Sequence, residues 1–151
     1  LLSILTRVNY PLLIVGKGDI EIQLKEFVQQ NGMQNQVHFY GFVRPNELPK
    51  ITRKARIGYN VSENEGLSYY LSLNNKFFDY VEAGLPSVIN DFPEYLHLNR
   101  EFGVGLNVSL DSAEIEEKLT ILMENDQVYQ KCVENCRKAR EIWNWKTNQN
   151  P

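Results

Sequence analysis

Little in this sequence is extreme, and each shortage closes off a class of protein. No apolar run approaches the roughly 18 residues of a membrane-spanning helix; the longest, such as Pro11 to Val15, are strand-sized. There are two cysteines, too few for a disulfide scaffold, which suits a reducing compartment. Cys132 and Cys136 stand at i and i+4 with no histidine near them. Two thiolates do not complete a zinc site, so no metal is predicted and they read as small helix residues. His38 and His97 are isolated and read as surface or edge-strand residues. Charge of neither sign dominates: 16 basic and 19 acidic residues leave a net −3, so a general nucleic-acid binder is not expected. Repeats, linkers and low-complexity tracts are lacking too. The start, Leu1 to Arg7, has neither an initiator Met nor a charged leader. It reads as the middle of a helix rather than a signal peptide, as in a chain belonging to a longer protein.

What is present is a foldable composition, 42% apolar over 151 residues, which predicts one domain with its own core. Leu12-Leu13-Ile14-Val15, closed by Gly16, predicts a buried strand. Asp19 is then expected to cap a helix running to about Gln30, with Ile22, Leu24, Phe27 and Val28 on its apolar face and Asn31-Gly32 as its stop. Val37 to Tyr40 predicts a second strand. Arg44-Pro45-Asn46 opens a short helix through about Lys54, and Ile57 to Val61 predicts a third strand. A polar stretch from Ser62 to Ser68 precedes a helix that starts near Asn75 and stops at Gly84-Leu85-Pro86. Ser87-Val88-Ile89 and Val104 to Val108 predict further strands. Asp111 and Ser112 cap a helix bearing Ile115, Leu119 and Leu122, and a last helix spans about Gln127 to Trp143.

Strands separated by helices imply crossover connections and a parallel sheet covered on both faces. The expected fold is therefore Rossmann-like α/β, a doubly wound parallel sheet in three layers. In such sheets ligands bind beyond the carboxyl ends of the strands. That singles out the loops Gly16–Asp19, Gly41–Pro45, Ser62–Lys76 and Asn90–Glu94, the last expected to close over the same cleft.

The most informative stretch is Leu73 to Asn90. Asn74 and Asn75 stand where a helix begins, and either could cap it. A cap does not account for Lys76. A cation at a helix N-terminus opposes the helix dipole by ~0.3–1 kcal/mol at exposed positions, and a bound phosphate would remove that penalty. Asp79 follows one turn later, with Glu82 three residues beyond on roughly the same face. They read either as dipole-favouring acids or as acceptors for ribose hydroxyls. Nothing specifies the fixed carboxylate separation that glycoside hydrolysis needs. Gly16-Lys17-Gly18-Asp19 joins a strand to a helix but lacks the third glycine of a dinucleotide fingerprint and the Gly-Lys-Ser/Thr of a P-loop. It is a tight turn or a backbone lying against a nucleotide. Arg44 is a base or phosphate contact, or an exposed residue before a proline-started helix. Trp143 and Trp145 flank a basic helix end (Arg137, Lys138, Arg140, Lys146), a mix that suits a membrane surface or a helix packing back on its own domain.

Asn75-Lys76-Phe77-Phe78-Asp79-Tyr80-Val81-Glu82-Ala83-Gly84-Leu85-Pro86 resembles the NK-x-x-E-Y-x-x-x-G-x-P segment of family 4 retaining glycosyltransferases, nucleotide-sugar enzymes of two-domain GT-B fold. The resemblance continues in Ile14 to Gly18, Val37 to Val43, Asn90 to Glu94 and Phe102 to Leu106, covering nearly the whole chain in order. It implies the C-terminal, donor-binding domain over residues 1–151. The acceptor would be held by an N-terminal domain, which this sequence does not include. It also implies that nucleotide diphosphate sugar is a substrate and that no cofactor or metal is required, since helix dipoles and basic residues stabilise the leaving diphosphate.

By that resemblance Asp79 binds the ribose hydroxyls. Ser72, Leu73, Asn74, Asn75 and Lys76 present N–H groups to the phosphates and sugar. Val43 and Arg44 lie beside the base, and Gly16, Lys17 and Gly18 line the floor. Asp79 stands where the family usually has Glu, and Leu71 where it has a second Glu, a role Glu65 or Ser72 is expected to take. The family's cationic Arg and Lys, and the central strand of its sheet, belong to sequence upstream of Leu1. The expected function is retaining transfer from a UDP- or GDP-sugar to a glycan or lipid-linked acceptor. The expected setting is bacterial surface-polysaccharide assembly in the cytoplasm, at the inner membrane face where peripheral association applies. This chain alone is expected to be inactive. The alternatives are a sugar-nucleotide epimerase of the same fold and a non-catalytic degenerate partner subunit. A flavodoxin-like receiver would want an acidic pocket at the strand ends, and these loops are rich in amides and glycine instead.

Overall fold

The computed structural model describes residues 1–63 and 66–143 and, within them, all side chains except those of Ser68 and Tyr69. Its contacts divide the chain into two compact units, Leu1–Leu48 and Pro49–Pro151. Both are built on parallel strands flanked by helices, as the alternating pattern requires.

The first unit holds α1 (Leu2–Leu5), β1 (Leu12–Val15), α2 (Glu21–Gln30) and β2 (Val37–Gly41). β1 and β2 pair in parallel, Leu12 opposite Val37 and Ile14 opposite Phe39, with a register shift before Val15 opposite Gly41. Leu5, Val28, Met33 and Val37 form the buried centre, flanked by Leu1, Leu12, Ile14, Phe27 and Phe39. The Gln36 amide ties the end of α1 down, donating to the carbonyls of Leu5, Val8 and Tyr10 at 3.1, 2.7 and 2.9 Å. The expectation of a buried first strand is corrected: β1 is half exposed, with Leu13 46% accessible. It belongs to a two-stranded sheet, whose core packs on the Leu12 and Ile14 face and leaves Leu13 turned outward. The expected Asp19 cap is corrected as well. Glu21 N–H bonds to Gly18 C=O at 3.1 Å, so the turn consumes Asp19, and α2 begins after Ile20 with no side-chain cap.

α3 (Leu48–Thr52) leads into the second unit, which orders β3 (Gly58–Asn60), β4 (Ser87–Asn90) and β5 (Gly105–Val108) as a parallel three-stranded sheet β3-β4-β5. Around it stand α4 (Leu67–Tyr70), α5 (Asn75–Ala83), α6 (Pro93–Phe102), α7 (Ser112–Glu124) and α8 (Asp126–Trp143). β4 is central and wholly buried. Successive strand residues face opposite ways, so burial of both Val88 and Ile89 means both faces are covered. On the Ile89 side Phe77, Val81, Phe92, Tyr95, Val104, Cys136 and Ala139 form one cluster. Burying each of its large apolar side chains contributes ~1.5–3 kcal/mol. Trp143 closes the cluster, its ring 4.6 Å from that of Phe102 and 5.8 Å from that of Phe77. This is the packing-back arrangement; Trp145 and Lys146 lie outside the described residues.

Cys132 and Cys136 are core residues. Burial, then the neighbouring Cys132 thiol, pushes the Cys136 thiol up to about 12. Among the described residues no group of His, Cys, Asp and Glu could hold a metal ion, and no helix is long and apolar enough to cross a membrane.

Two helices were not expected. α4 lies within the Ser62–Lys76 loop. α6 begins inside the Asn90–Glu94 loop and runs on through Phe102, because Pro93 sits at its first position, where the missing N–H is no loss. The expected helix from Arg44 to Lys54 is shorter: Arg44 carbonyl accepts the N–H groups of Glu47 and Leu48 in a turn, and α3 follows. Gly58 is fixed by close approach, since a Cβ there would fall inside the Tyr80 ring.

Candidate functional site

The candidate residues gather at the carboxyl ends of strands in each unit. In the first, Gly16 N–H donates to Gly41 C=O at 2.8 Å. The turn Gly16-Lys17-Gly18 and the segment carrying Val43 and Arg44 therefore leave the same end of the β1–β2 pair. The turn and Arg44 are exposed and Val43 is half buried. Both loops can meet a ligand, with Lys17 and Arg44 supplying positive charge.

In the second unit the site is the start of α5. Asn74 is its cap: extended backbone precedes the helix, and Asn74 Oδ1 accepts the Phe77 N–H at 3.1 Å. Asn75 and Lys76 open the first turn, both exposed. Helix geometry leaves their N–H groups without an intrahelical acceptor. Ser72 is exposed and Leu73 half buried, packed against the Phe77 cluster. Asp79 lies one turn in, on the exposed side, and partial burial raises its carboxyl above the usual range. α5 is held along its length by buried Phe77 and Val81. It ends at Gly84, whose left-handed backbone (φ 71°) closes the helix, with Leu85 N–H bonding to Tyr80 C=O at 2.8 Å. The Glu65 contact falls outside the described residues, and Leu71 is exposed.

Beneath this start lies an amide network that the sequence did not announce. Asn74 Nδ2 donates to Asn60 Oδ1 at the end of β3, at 2.6 Å. Asn74 N–H donates to the Tyr95 hydroxyl from α6 at 3.0 Å. At the end of β4, Asn90 accepts Ser62 N–H at 2.9 Å and returns a bond to Ser62 C=O at 3.1 Å. Asn107 donates to Asn90 C=O at 2.8 Å and accepts from Asn99 at 2.7 Å. Asn60 and Asn90 are buried. Buried amides in series specify one geometry, because each satisfied partner orients the next. An available signal was that both β3 and β4 end in asparagine.

The site thus offers free N–H groups, a helix dipole and an ammonium to an anion, with a carboxylate able to accept hydroxyl hydrogens one turn away. The group described as glycosyl transferases group 1 matches residues 1–139. Among solved structures, HepE (Alr3699) of Anabaena in complex with UDP superposes with a TM-score of 0.78 at 16% identity, over 94% of this chain and 39% of that one. WaaG, a glycosyltransferase involved in lipopolysaccharide biosynthesis, superposes with a TM-score of 0.73 at 16% identity, again over 94% and 39%. The C-terminal domain of a glycosyl transferase group 1 family protein (LpcC) from Francisella tularensis superposes with a TM-score of 0.68 at 15% identity, over 91% of this chain and 96% of that domain. Among curated proteins the sequence has no significant match. The chain spans about two-fifths of the length of the first two enzymes (39% of each) and nearly all of the isolated domain. With the Rossmann-like α/β fold in place and the match running through the strands and α5, the chain belongs to the glycosyl transferases group 1 family.

Proposed function

We propose that this chain is the donor-binding half of a retaining glycosyltransferase, and that the start of α5 receives the diphosphate of a nucleotide sugar. The observation that carries the reading is the pairing of a capped helix, anchored by buried Phe77 and Val81, with an exposed lysine in its first turn. Asn74 satisfies one N–H and leaves those of Asn75 and Lys76 to the phosphates. Lys76 adds charge where the leaving diphosphate develops it. Asp79 accepts ribose hydroxyls. UDP in the HepE structure supports a uridine nucleotide as first candidate, with GDP as the other. The role of WaaG in lipopolysaccharide biosynthesis supports a bacterial surface glycan or lipid-linked acceptor. The larger size of these enzymes supports an acceptor-binding domain elsewhere in the whole protein.

Transfer then requires the acceptor half, so this chain alone binds donor without turnover. Calorimetric titration of the intact protein with UDP, GDP and ADP tests the reading. One of them should bind, and loss of affinity in Asn75→Ala and Lys76→Ala should leave the fold intact. Absence of binding by all three would remove the donor site.

A further inference from the structure

Asn60 is 1% exposed, and among the described residues its Nδ2 has no hydrogen-bond partner. Stranding a buried amide donor costs roughly 1–3 kcal/mol. The direction of the network shows why it is stranded. Phe77 N–H can only donate, so Asn74 must offer it Oδ1. Asn74 Nδ2 is then turned to Asn60, which must answer with Oδ1 at 2.6 Å. Asn60 Nδ2 is left over by necessity, and turning the amide would set two donors against each other.

An aspartate at 60 would accept from Asn74 equally well and strand no donor. It would also place a carboxylate behind the α5 start, where Lys76 and two free N–H groups face outward. A neutral acceptor spares the desolvation cost that a carboxylate buried at 1% exposure would carry, and it keeps negative charge away from a bound anion. We propose that Asn60 is a positioning residue of the phosphate site, holding the Asn74 cap without bringing negative charge beneath the ligand. This deepens the donor-site reading above and rests on it.

The test uses the intact protein and whichever of UDP, GDP or ADP the wild type binds, with the matching nucleoside as a phosphate-free probe. Asn60→Asp keeps the acceptor for Asn74. Its nucleotide affinity should fall about tenfold, while nucleoside binding stays unchanged. Asn60→Ala should weaken nucleotide binding in the wild type, yet add nothing in an Asn74→Ala background, because the two act through one bond. This arm stands if Asn60→Asp does not fold. Equal losses for nucleotide and nucleoside, or full additivity with Asn74→Ala, would overturn the positioning role while leaving the donor site standing. A wild type that binds no nucleoside diphosphate would overturn the donor site itself, and the role of Asn60 with it.

Discussion

Lys76→Ala should move stability and binding in opposite directions. Lys76 is exposed in the first turn of α5, and among the described residues no carboxylate pairs with it. Its charge therefore opposes the helix dipole without compensation, by ~0.3–1 kcal/mol. Removing it should raise the melting temperature of the ligand-free protein by about 0.6–4 °C, given about 2–4 °C per kcal/mol for 150–250 residues. Nucleotide reverses the order. At about 100 times the dissociation constant, UDP adds about 2.7 kcal/mol to the wild type, while a variant binding about tenfold more weakly gains about 1.4 kcal/mol. The difference of about 1.3 kcal/mol exceeds the ligand-free gain, so the melting curves should exchange places between the two conditions. Scanning calorimetry with and without UDP, backed by titration calorimetry, reads both halves. A fall in melting temperature without nucleotide, or curves that keep their order when UDP is present, would show that Lys76 serves the helix and not the ligand.

Asp79→Asn should weaken nucleotide binding while leaving stability at neutral pH equal or higher. Burial raises the Asp79 carboxyl, so the folded state holds its proton more tightly than the unfolded chain. The stability it contributes is full below the ordinary carboxylate range and is lost as pH rises through the folded value. The asparagine variant should lack that downward slope in urea midpoints taken between about pH 4 and 7, and the effect should be small because the carboxyl is largely exposed. A variant clearly less stable at neutral pH would contradict this. Gly58→Ala drives a methyl into the Tyr80 ring and should cost about 1–3 kcal/mol by overpacking, partly recovered by Tyr80→Leu; an unchanged urea midpoint would refute the contact.

The elements legible in the sequence were those whose signals are local. Asp111 caps α7 through Oδ1 bonds to the N–H groups of Ala113 and Glu114, both 2.9 Å. The stop at Gly84 and the fully buried β4 follow from backbone conformation and an unbroken apolar run in the same way. Asp19 misled because the same residue type serves turns and caps, and the neighbouring glycine decided for the turn. α6 was hidden by Phe92-Pro93, read as loop although proline at a first helical position followed by Glu94 also marks a helix start. The amide network was out of reach for a different reason. Asparagine signals exposed turns by composition, and the burial of Asn60 and Asn90 follows from strands and helices that meet only after folding.

That network carries a consequence for working conditions. Asn60 and Asn74 tie down the α5 start through side-chain amides beside the Tyr95 hydroxyl, and Asn90, Asn99 and Asn107 link the ends of β4 and β5 in the same way; amides neither gain nor lose protons in ordinary buffers. A scaffold of histidines or carboxylates would loosen as the medium acidified. This one keeps its shape while the phosphates of a ligand change their own ionisation around it. The acid–base response of donor binding should thus be written by the ligand and by Asp79, with the frame that aligns them standing still.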